Sequence, residues 1–158
     1  MKNLFIGGST AAILSRKELK PINAYLAAQY NAHLPENYAY ILTRKSNLYA
    51  CSRKIEELPL QKMRLSAVGL YLGEYAKGEF RLSIEGSQLL GVSAQRNTIE
   101  LNKEEIHQWM KGESLQLSHH CSGFVIVMHK GDYFGAGRAK ENVLLNYVPK
   151  IRRLQEIA

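Results

Sequence analysis

The last third of the sequence contains three short apolar runs that are separated by glycine-containing turns. The runs cover residues 124–128, 133–139 and 143–148. The turn Lys130-Gly131-Asp132 separates the first two runs, and Pro149 ends the third. Short β-rich runs with glycine between them predict a small closed or half-closed sheet. Because proline has no N–H to donate to a sheet, Pro149 is predicted at a strand edge or end.

The chain is basic, and its charge is concentrated at the two ends. Lys and Arg number 21 against 14 Asp and Glu, which gives a net charge of +7. Residues 1–63 hold nine basic and four acidic residues, residues 64–128 hold six and seven, and residues 129–158 hold six and three. This balance favours an anionic partner, with nucleic acid first among the candidates, although plain solubility would also explain it.

The first half of the chain is predicted to mix helix with antiparallel strands. A helix is predicted from Pro21, a residue type favoured in the first helical turn, to a stop at Pro35. Residues 38–51 predict a β-hairpin around a polar turn, and residues 53–60 a short amphipathic helix. Residues 63–75 have no clearly polar side, which is typical of a strand that is covered on both faces.

Two further helices are predicted from their end signals. Residues 84–90 predict a helix that Gly91 ends as a C-cap. The other helix follows Asn102, because Asn is a good N-cap and Glu105 lies three residues on, as in a capping box. Trp109 on this helix is expected in the core rather than stacked on a base, since it lies at helical spacing from an isoleucine.

Three C-terminal segments carry a resemblance to a known family. They are Phe124-Val125-Ile126-Val127, then 131–139 (Gly-Asp-Tyr-Phe-Gly-Ala-Gly-Arg-Ala), and then 146–153 (Asn-Tyr-Val-Pro-Lys-Ile-Arg-Arg). Together they resemble the last strands of a PUA domain, the small RNA-binding barrel named after pseudouridine synthase and archaeosine transglycosylase. The segment Lys111-Gly112-Glu113 is similar to the one that follows the first helix of such domains.

The middle of the chain extends the resemblance to a second domain. Residues 68–74, residues 78–90 and the hairpin over 38–53 resemble the pre-PUA domain of small two-domain factors, of archaea and eukaryotes, that act on the large ribosomal subunit. The resemblance implies an α/β (α+β) fold, with an N-terminal pre-PUA α/β domain at 1–93 and a C-terminal PUA pseudo-barrel at 94–158. No flexible linker stands out between them, so we expect the two halves to pack together.

The sequence lacks the motifs of the common enzyme classes. It has neither a phosphate-binding Gly-x-x-x-x-Gly-Lys-Ser/Thr loop nor a Gly-x-Ser-x-Gly elbow. The single aspartate, Asp132, lies in a predicted turn, which leaves little for a metal-dependent or two-carboxylate mechanism. Cys51 and Cys121 are isolated and are expected to be small buried residues. We therefore expect no catalytic residue, no cofactor, no metal site and no small-molecule substrate.

RNA methyltransferases of the cytosine-5 type carry related PUA-like tails and are the main alternative. A catalytic version needs a cofactor-binding sheet and a nucleophilic cysteine after a proline, but Cys51 follows Ala50 and Cys121 follows His120. We also expect 158 residues to be too few for a methyltransferase domain beside the two parts described above. On this alternative the chain is a stand-alone accessory protein of an RNA-modifying enzyme.

Basic residues near the C-terminus are the predicted RNA contacts. They are Arg138, Lys140, Lys150, Arg152 and Arg153. Lys150 and Arg152 are expected on one face of a strand with Arg153 on the other, and Arg138 and Lys140 on one face of a neighbouring strand. If these strands pair, the cations form a patch that binds the phosphate backbone, largely through the release of counterions. The resemblance implies the same place, since Lys150, Arg152 and Arg153 match the basic run of the family.

The resemblance implies a non-catalytic RNA-binding protein of ribosome biogenesis, acting in rRNA processing and large-subunit assembly. Its expected partners are RNA, with an rRNA precursor first, and other ribosome-biogenesis or RNA-processing proteins, and the chain is expected to be a monomer. Residues 1–14 are too short and interrupted for a secretory signal, so the cytoplasm is the expected compartment. Two alternatives stay open: an accessory protein of a tRNA or rRNA methyltransferase or pseudouridylation enzyme, and a protein–protein adaptor.

Overall fold

Six strands of the first half form one sheet. The computed structural model describes residues 3–118 and 120–156, and the first sheet takes its strands in chain order, each antiparallel to the next. They are β1 (Asn3–Ile6), β2 (Ser9–Ile13), β3 (Tyr38–Thr43), β4 (Asn47–Ser52), β5 (Leu70–Ala76) and β6 (Glu79–Leu82). The predicted hairpin is confirmed as β3 and β4. The strand predicted over 63–75 begins only at Leu70, because Gly69 has a left-handed backbone with φ +54°.

The second half forms a five-stranded sheet in the order β7-β9-β10-β11-β8. Its strands are β7 (Thr98–Glu100), β8 (Leu115–Gln116), β9 (Gly123–His129), β10 (Asp132–Lys140) and β11 (Val143–Leu145). Strand β7 runs parallel to β9, and the other neighbours are antiparallel. The predicted α/β (α+β) class is confirmed, and the curled sheets are consistent with a PUA pseudo-barrel. The division into domains at 1–93 and 94–158 stays a prediction.

Helix α1 (Arg16–Tyr30) begins well before the predicted start at Pro21. The hydroxyl of Ser15 accepts a hydrogen bond from the N–H of Glu18 at 3.3 Å, and the Glu18 carboxylate accepts one from the N–H of Ser15 at 2.7 Å. This capping box sets the start of the helix, so the predicted start is wrong and Pro21 lies inside α1. The helix ends before the predicted stop, because Asn31 takes a left-handed backbone with φ 53°.

Helix α2 (Ile84–Gly91) lies where it is predicted, but its end differs. Gly91 belongs to the helix and Val92 is the C-cap, so the predicted C-cap role of Gly91 is wrong. A side chain at Gly91 would overlap the ring of Tyr133, which means that close packing requires the glycine there. The helix predicted over 53–60 is reduced to a 3₁₀ turn, Arg53–Glu57, since the residue before the following proline takes an extended backbone.

Helix α3 (Lys103–Met110) confirms the predicted capping box. The side chain of Asn102 accepts the N–H of Glu105 at 2.9 Å, and the Glu105 carboxylate accepts the N–H of Asn102 at 2.9 Å. Trp109 is fully buried, and its indole N–H donates to the carbonyl of Phe134 at 2.9 Å. The expected core position of Trp109 is therefore confirmed, and its one polar group is satisfied inside the core.

The chain beyond β11 is not a strand, which corrects the prediction for the basic run. The amide group of Asn146 donates to two carbonyls at and just after the end of α3, at 2.7 and 3.0 Å, and its oxygen accepts the N–H of Val148 at 2.8 Å. Pro149 then leads into a 3₁₀ turn, Lys150–Arg152. Hydrogen bonds to the Asn146 side chain thus take the place of a neighbouring strand, and Lys150 and Arg152 do not lie on a strand face.

The two halves pack on a shared apolar core. One cluster of buried side chains includes Tyr30 and Leu90 from the first half and Phe124 and Ile126 from the second. The side chain of Gln29, on α1, donates to the carbonyl of Phe124 at 2.6 Å. The two sheets are therefore in direct contact, as we expect from the lack of a flexible linker between the two halves.

Within residues 3–118 and 120–156, none of the helices is both long and apolar enough to cross a membrane. The same residues contain no group of three or more His, Cys, Asp or Glu side chains placed to bind a metal ion.

Cys51 and Cys121 are free and half-buried, whereas the sequence predicts small buried residues. Burial raises the pKa of the Cys51 thiol, which disfavours the nucleophilic thiolate at that position.

Candidate nucleic-acid interface

Two arginine–aromatic stacks lie side by side where the first sheet meets the second. The guanidinium carbon of Arg138, on β10, lies 4.6 Å from the ring centroid of Phe124, and that of Arg81, on β6, lies 4.7 Å from the ring centroid of Tyr147. The two rings meet edge to face with their centroids 6.0 Å apart. We name the four side chains Arg81, Phe124, Arg138 and Tyr147 the arginine–aromatic face.

Strand pairing explains how these side chains come together. Phe124 on β9 and Arg138 on β10 are direct cross-strand partners, so both side chains lie on the same side of the second sheet. Tyr147 follows β11, which pairs with the other edge of β10. Arg81 alternates along β6 with two buried neighbours, Phe80 and Leu82, and it therefore points away from the core of the first sheet.

Glutamates of the segment 74–85 hold three of the arginines. The pairs are Arg81 with Glu74, at 3.2 Å, Arg138 with Glu79, and Arg152 with Glu85. All of these side chains are partly exposed to solvent, so each pair contributes about 0–1 kcal/mol to stability. A guanidinium held this weakly can exchange its carboxylate partner for a phosphate group, which offers the same bidentate geometry.

Four of the five predicted RNA contacts are accessible to a ligand. Arg138 and Lys140 alternate with the buried Ala139 on β10, so they share an outward face, as predicted. Lys150 and Arg152 lie in the 3₁₀ turn after Pro149 and are exposed. Among the described residues, Lys140 and Lys150 have no hydrogen-bond or ion-pair partner for their ammonium groups. The strand pairing expected between the two groups of cations is absent, and their contact with RNA stays a prediction.

Arg153 is placed differently from the other four. Its Nε donates to the carbonyl of Val148 at 3.0 Å, and its guanidinium packs so closely over Gly112 that a Cβ at that glycine would collide with it. Gly112 lies just after α3 and has a left-handed backbone with φ +92°. The side chain of Arg153 therefore ties the end of the chain to the end of α3.

Two open crevices border the arginine–aromatic face. One has an empty volume of about 410 Å³, and its lining includes Tyr71, Ser83 and Pro149. The other has an empty volume of about 560 Å³, and its lining includes Lys77 and Glu79. Arg81 and Tyr147 line both crevices, so the two lie side by side along the junction of the sheets, and we name them together the recess.

The contribution of the first sheet to this site is absent from the sequence prediction. Arg81 and Lys77 lie in the segment 64–128, whose charge is nearly neutral, so a count of charges over long segments hides them. The alternation of Arg81 with two large apolar residues is a signal that does mark it as an outward-facing cation. Tyr147 lies within the segment 146–153 that carries the resemblance. The prediction of a strand there gave no reason to expect a contact between Tyr147 and Arg81.

Comparison with known proteins identifies relatives for both halves of the chain. Residues 96–154 match the family model described as the methyltransferase RsmF PUA domain. A ribosomal RNA small subunit methyltransferase F of Aliivibrio fischeri is 26% identical over 145 residues, which are 92% of this chain and 30% of that protein. The methyltransferase of the same name from Vibrio parahaemolyticus is 24% identical over 142 residues, or 86% of this chain and 29% of that protein.

These matches show that residues 96–154 are similar to a PUA domain, in the part of the chain where one is predicted, and that both halves are similar to part of an RNA methyltransferase. The chain spans about 30% of the length of these relatives. The relatives are bacterial and are named for the small ribosomal subunit, whereas the sequence resemblance points to factors of archaea and eukaryotes that act on the large one. The matches therefore do not support a large-subunit factor of the archaeal type in particular.

Proposed function

We propose that this chain is a non-catalytic RNA-binding unit that serves the methylation of small-subunit ribosomal RNA. The observation that carries the proposal is the arginine–aromatic face, in which Arg81 and Arg138 alternate with Tyr147 and Phe124 along an open recess. Arginines bind phosphate groups, and the exposed ring of Tyr147 offers a surface on which a base stacks, whereas Phe124 is buried and supports the guanidinium of Arg138. Cations with interleaved aromatic residues are therefore suited to RNA rather than to a purely anionic ligand.

The exposed cations around the face extend it along a polyanion. Lys77 borders one end of the recess, and Lys140 lies two residues beyond Arg138 on the same side of β10. Lys150 and Arg152 follow Pro149, which lines the other crevice. A series of cations along a recess matches the repeated charge of a nucleic-acid strand, and we propose these residues as the phosphate contacts.

The names of the relatives support the choice of RNA target. Because the matched proteins are named small-subunit rRNA methyltransferases, we propose small-subunit rRNA as the ligand in place of the large-subunit precursor that the resemblance implies. We further propose that the partner is the enzyme that modifies this RNA and that the chain is a monomer in the cytoplasm. We also propose that the units at 1–93 and 94–158 act together, since the recess takes residues from both.

The proposal is tested by the salt dependence of RNA binding. The affinity of the wild-type chain for a labelled small-subunit rRNA fragment is measured by fluorescence anisotropy between about 50 and 200 mM salt. Replacing Arg138, Lys140, Lys150 and Arg152 by Gln is expected to weaken binding strongly and to reduce the slope of log K against log salt by about one for each lost phosphate contact.

A variant with the same change in net charge controls for the loss of positive charge. It replaces four exposed lysines outside the recess by Gln: Lys17, Lys54, Lys62 and Lys103. This control is expected to keep most of the affinity and of the salt slope. Equal losses in both variants, or an affinity that does not change with salt, would contradict the proposed site. Stronger binding of a large-subunit precursor or of tRNA would change the proposed RNA target and leave the proposed binding site unaffected.

A further inference from the structure

Two exposed tyrosines, one from each half of the chain, line the crevice at one end of the recess. Tyr71 on β5 is 36% exposed and Tyr147 after β11 is 37% exposed. Both residues line the same crevice, together with Arg81 and Pro149. We name this space the Tyr71–Tyr147 crevice. Large aromatic side chains left open to water at the junction of two sheets indicate a surface that a ligand can cover.

The walls of the Tyr71–Tyr147 crevice combine apolar and polar groups, and part of the wall is held in place by hydrogen bonds. Leu82, Ile84 and Ala136 line it, and all are buried. The hydroxyl of Ser83 donates to the carbonyl of Tyr71 at 2.6 Å and accepts the N–H of Gly86 at 2.9 Å. The hydroxyl of Ser83, a lining residue, is thus already committed to the protein. The two tyrosines and the guanidinium of Arg81 remain available to a ligand, and together they suit a flat ring.

The cation at the rim also favours a flat ring. The guanidinium of Arg81 lies 4.7 Å from the ring centroid of Tyr147, while its terminal nitrogen pairs with Glu74 at 3.2 Å. The stacking on Tyr147 turns the flat face of the Arg81 guanidinium toward the crevice rim. Planar arginines of this kind stack on nucleobases as well as on aromatic side chains.

We propose that the Tyr71–Tyr147 crevice accepts a single unpaired nucleobase of the bound RNA. This inference rests on the proposed function, since the neighbouring cations are needed to hold the phosphates on either side of that base. A base inside a duplex has both of its faces covered by neighbours, so it cannot stack on Tyr71, Tyr147 or Arg81. The recess therefore selects RNA with a single-stranded or bulged nucleotide over a continuous duplex.

The test compares a single-stranded oligoribonucleotide with a perfect duplex of the same sequence. The wild-type chain is expected to bind the single strand more tightly, and Tyr147→Ala is expected to weaken that binding about tenfold with little effect on the duplex. Tyr147→Phe keeps the ring and is expected to keep the affinity. Phe5→Ala removes an exposed aromatic residue on β1, outside the crevice, and is the matched control; it should change neither affinity.

A second measurement does not depend on a variant. A fluorescent base analogue at the unpaired position is expected to lose fluorescence on binding to the wild-type chain, because stacking on an aromatic ring quenches it. Equal wild-type affinity for single strand and duplex, or equal losses for both RNAs in Tyr147→Ala, would overturn the base-binding inference and leave the proposed function intact. If the wild-type chain binds neither RNA, the proposed function fails and this inference fails with it.

Discussion

The guanidinium of Arg81 stacks over the ring of Tyr147, so a strand of the first sheet and the loop after the last strand of the second sheet share one cation–aromatic contact. Tyr147 in turn meets Phe124 edge to face, and Phe124 carries Arg138. The row of four side chains thus crosses the junction between the halves. Neither half alone contains the complete candidate RNA surface.

Removing the carboxylate that holds Arg138 is expected to strengthen RNA binding. In Glu79→Gln the ion pair with Arg138 is lost, so the guanidinium no longer has to leave a carboxylate before it meets a phosphate. We expect the affinity for RNA to rise about fivefold, which corresponds to ~1 kcal/mol. Glu104→Gln removes the same charge from the exposed surface of α3 and is the control in the anisotropy measurement. An equal gain in both variants would mean that only net charge matters.

Arg153 and Lys150 are expected to differ in what their loss affects. Arg153→Ala removes the hydrogen bond to Val148 and the packing over Gly112, and we expect it to lower the free energy of unfolding by about 1–2 kcal/mol. Lys150→Ala removes an exposed cation and is expected to change stability by less than about 0.5 kcal/mol while weakening RNA binding. Urea denaturation of both variants measures the difference. A destabilised Lys150→Ala would show that the 3₁₀ turn, and not Arg153, anchors the end of the chain.

Trp109 is expected to be among the largest single contributors to the stability of the second half. Its side chain is fully buried among residues of the second core, and Trp109→Ala is expected to destabilise the chain by about 3–5 kcal/mol. Trp109→Phe keeps most of the apolar volume but leaves the carbonyl of Phe134 without its indole donor, so we expect an intermediate loss. Thermal unfolding, monitored by circular dichroism, checks the order of stability of wild type, Trp109→Phe and Trp109→Ala. An unfolding temperature of Trp109→Ala equal to that of wild type would contradict the packing described.

The stability of the chain is expected to fall at alkaline pH through Tyr25. Burial is the main cause, and the Glu79 carboxylate the second, that raises the pKa of Tyr25 from 10.0 to about 12 in the folded chain. Between these two values the unfolded chain loses the phenolic proton and the folded chain retains it, so stability is present below pH 10 and is lost as the pH rises toward 12. Tyr25→Phe is expected to make this loss smaller in denaturation curves recorded across the window. An identical pH dependence in wild type and variant would remove Tyr25 as a cause.

Local signals predict much of this fold because they act over a few residues. The Asn102 capping box and the hairpin of β3 and β4 depend on neighbours in sequence, and both are confirmed. The wrong helix start at Pro21 arises because a stronger local signal, the Ser15 capping box, lies upstream of it. The wrong strand at 150–153 has a different origin, because Asn146 bonds to groups around the end of α3 that are distant in sequence.

The candidate site is only half predictable for the same reason. The C-terminal cations belong to one stretch of sequence, so a motif can reveal them. The position of Arg138 beside Arg81 depends on how β6 lies against the second sheet, and that contact is made by a shared core rather than by any local pattern.

Photocrosslinking of bound RNA to the wild-type chain, with the attached peptides identified by mass spectrometry, tests the central claim most directly. The account predicts attachment at the exposed aromatic residues of the recess, Tyr71 and Tyr147, and its loss when Arg81 and Arg138 are both replaced by Gln. Attachment instead at the cleft between α1 and the hairpin of β3 and β4, which is lined by Tyr38, Tyr40 and Arg53, would contradict it.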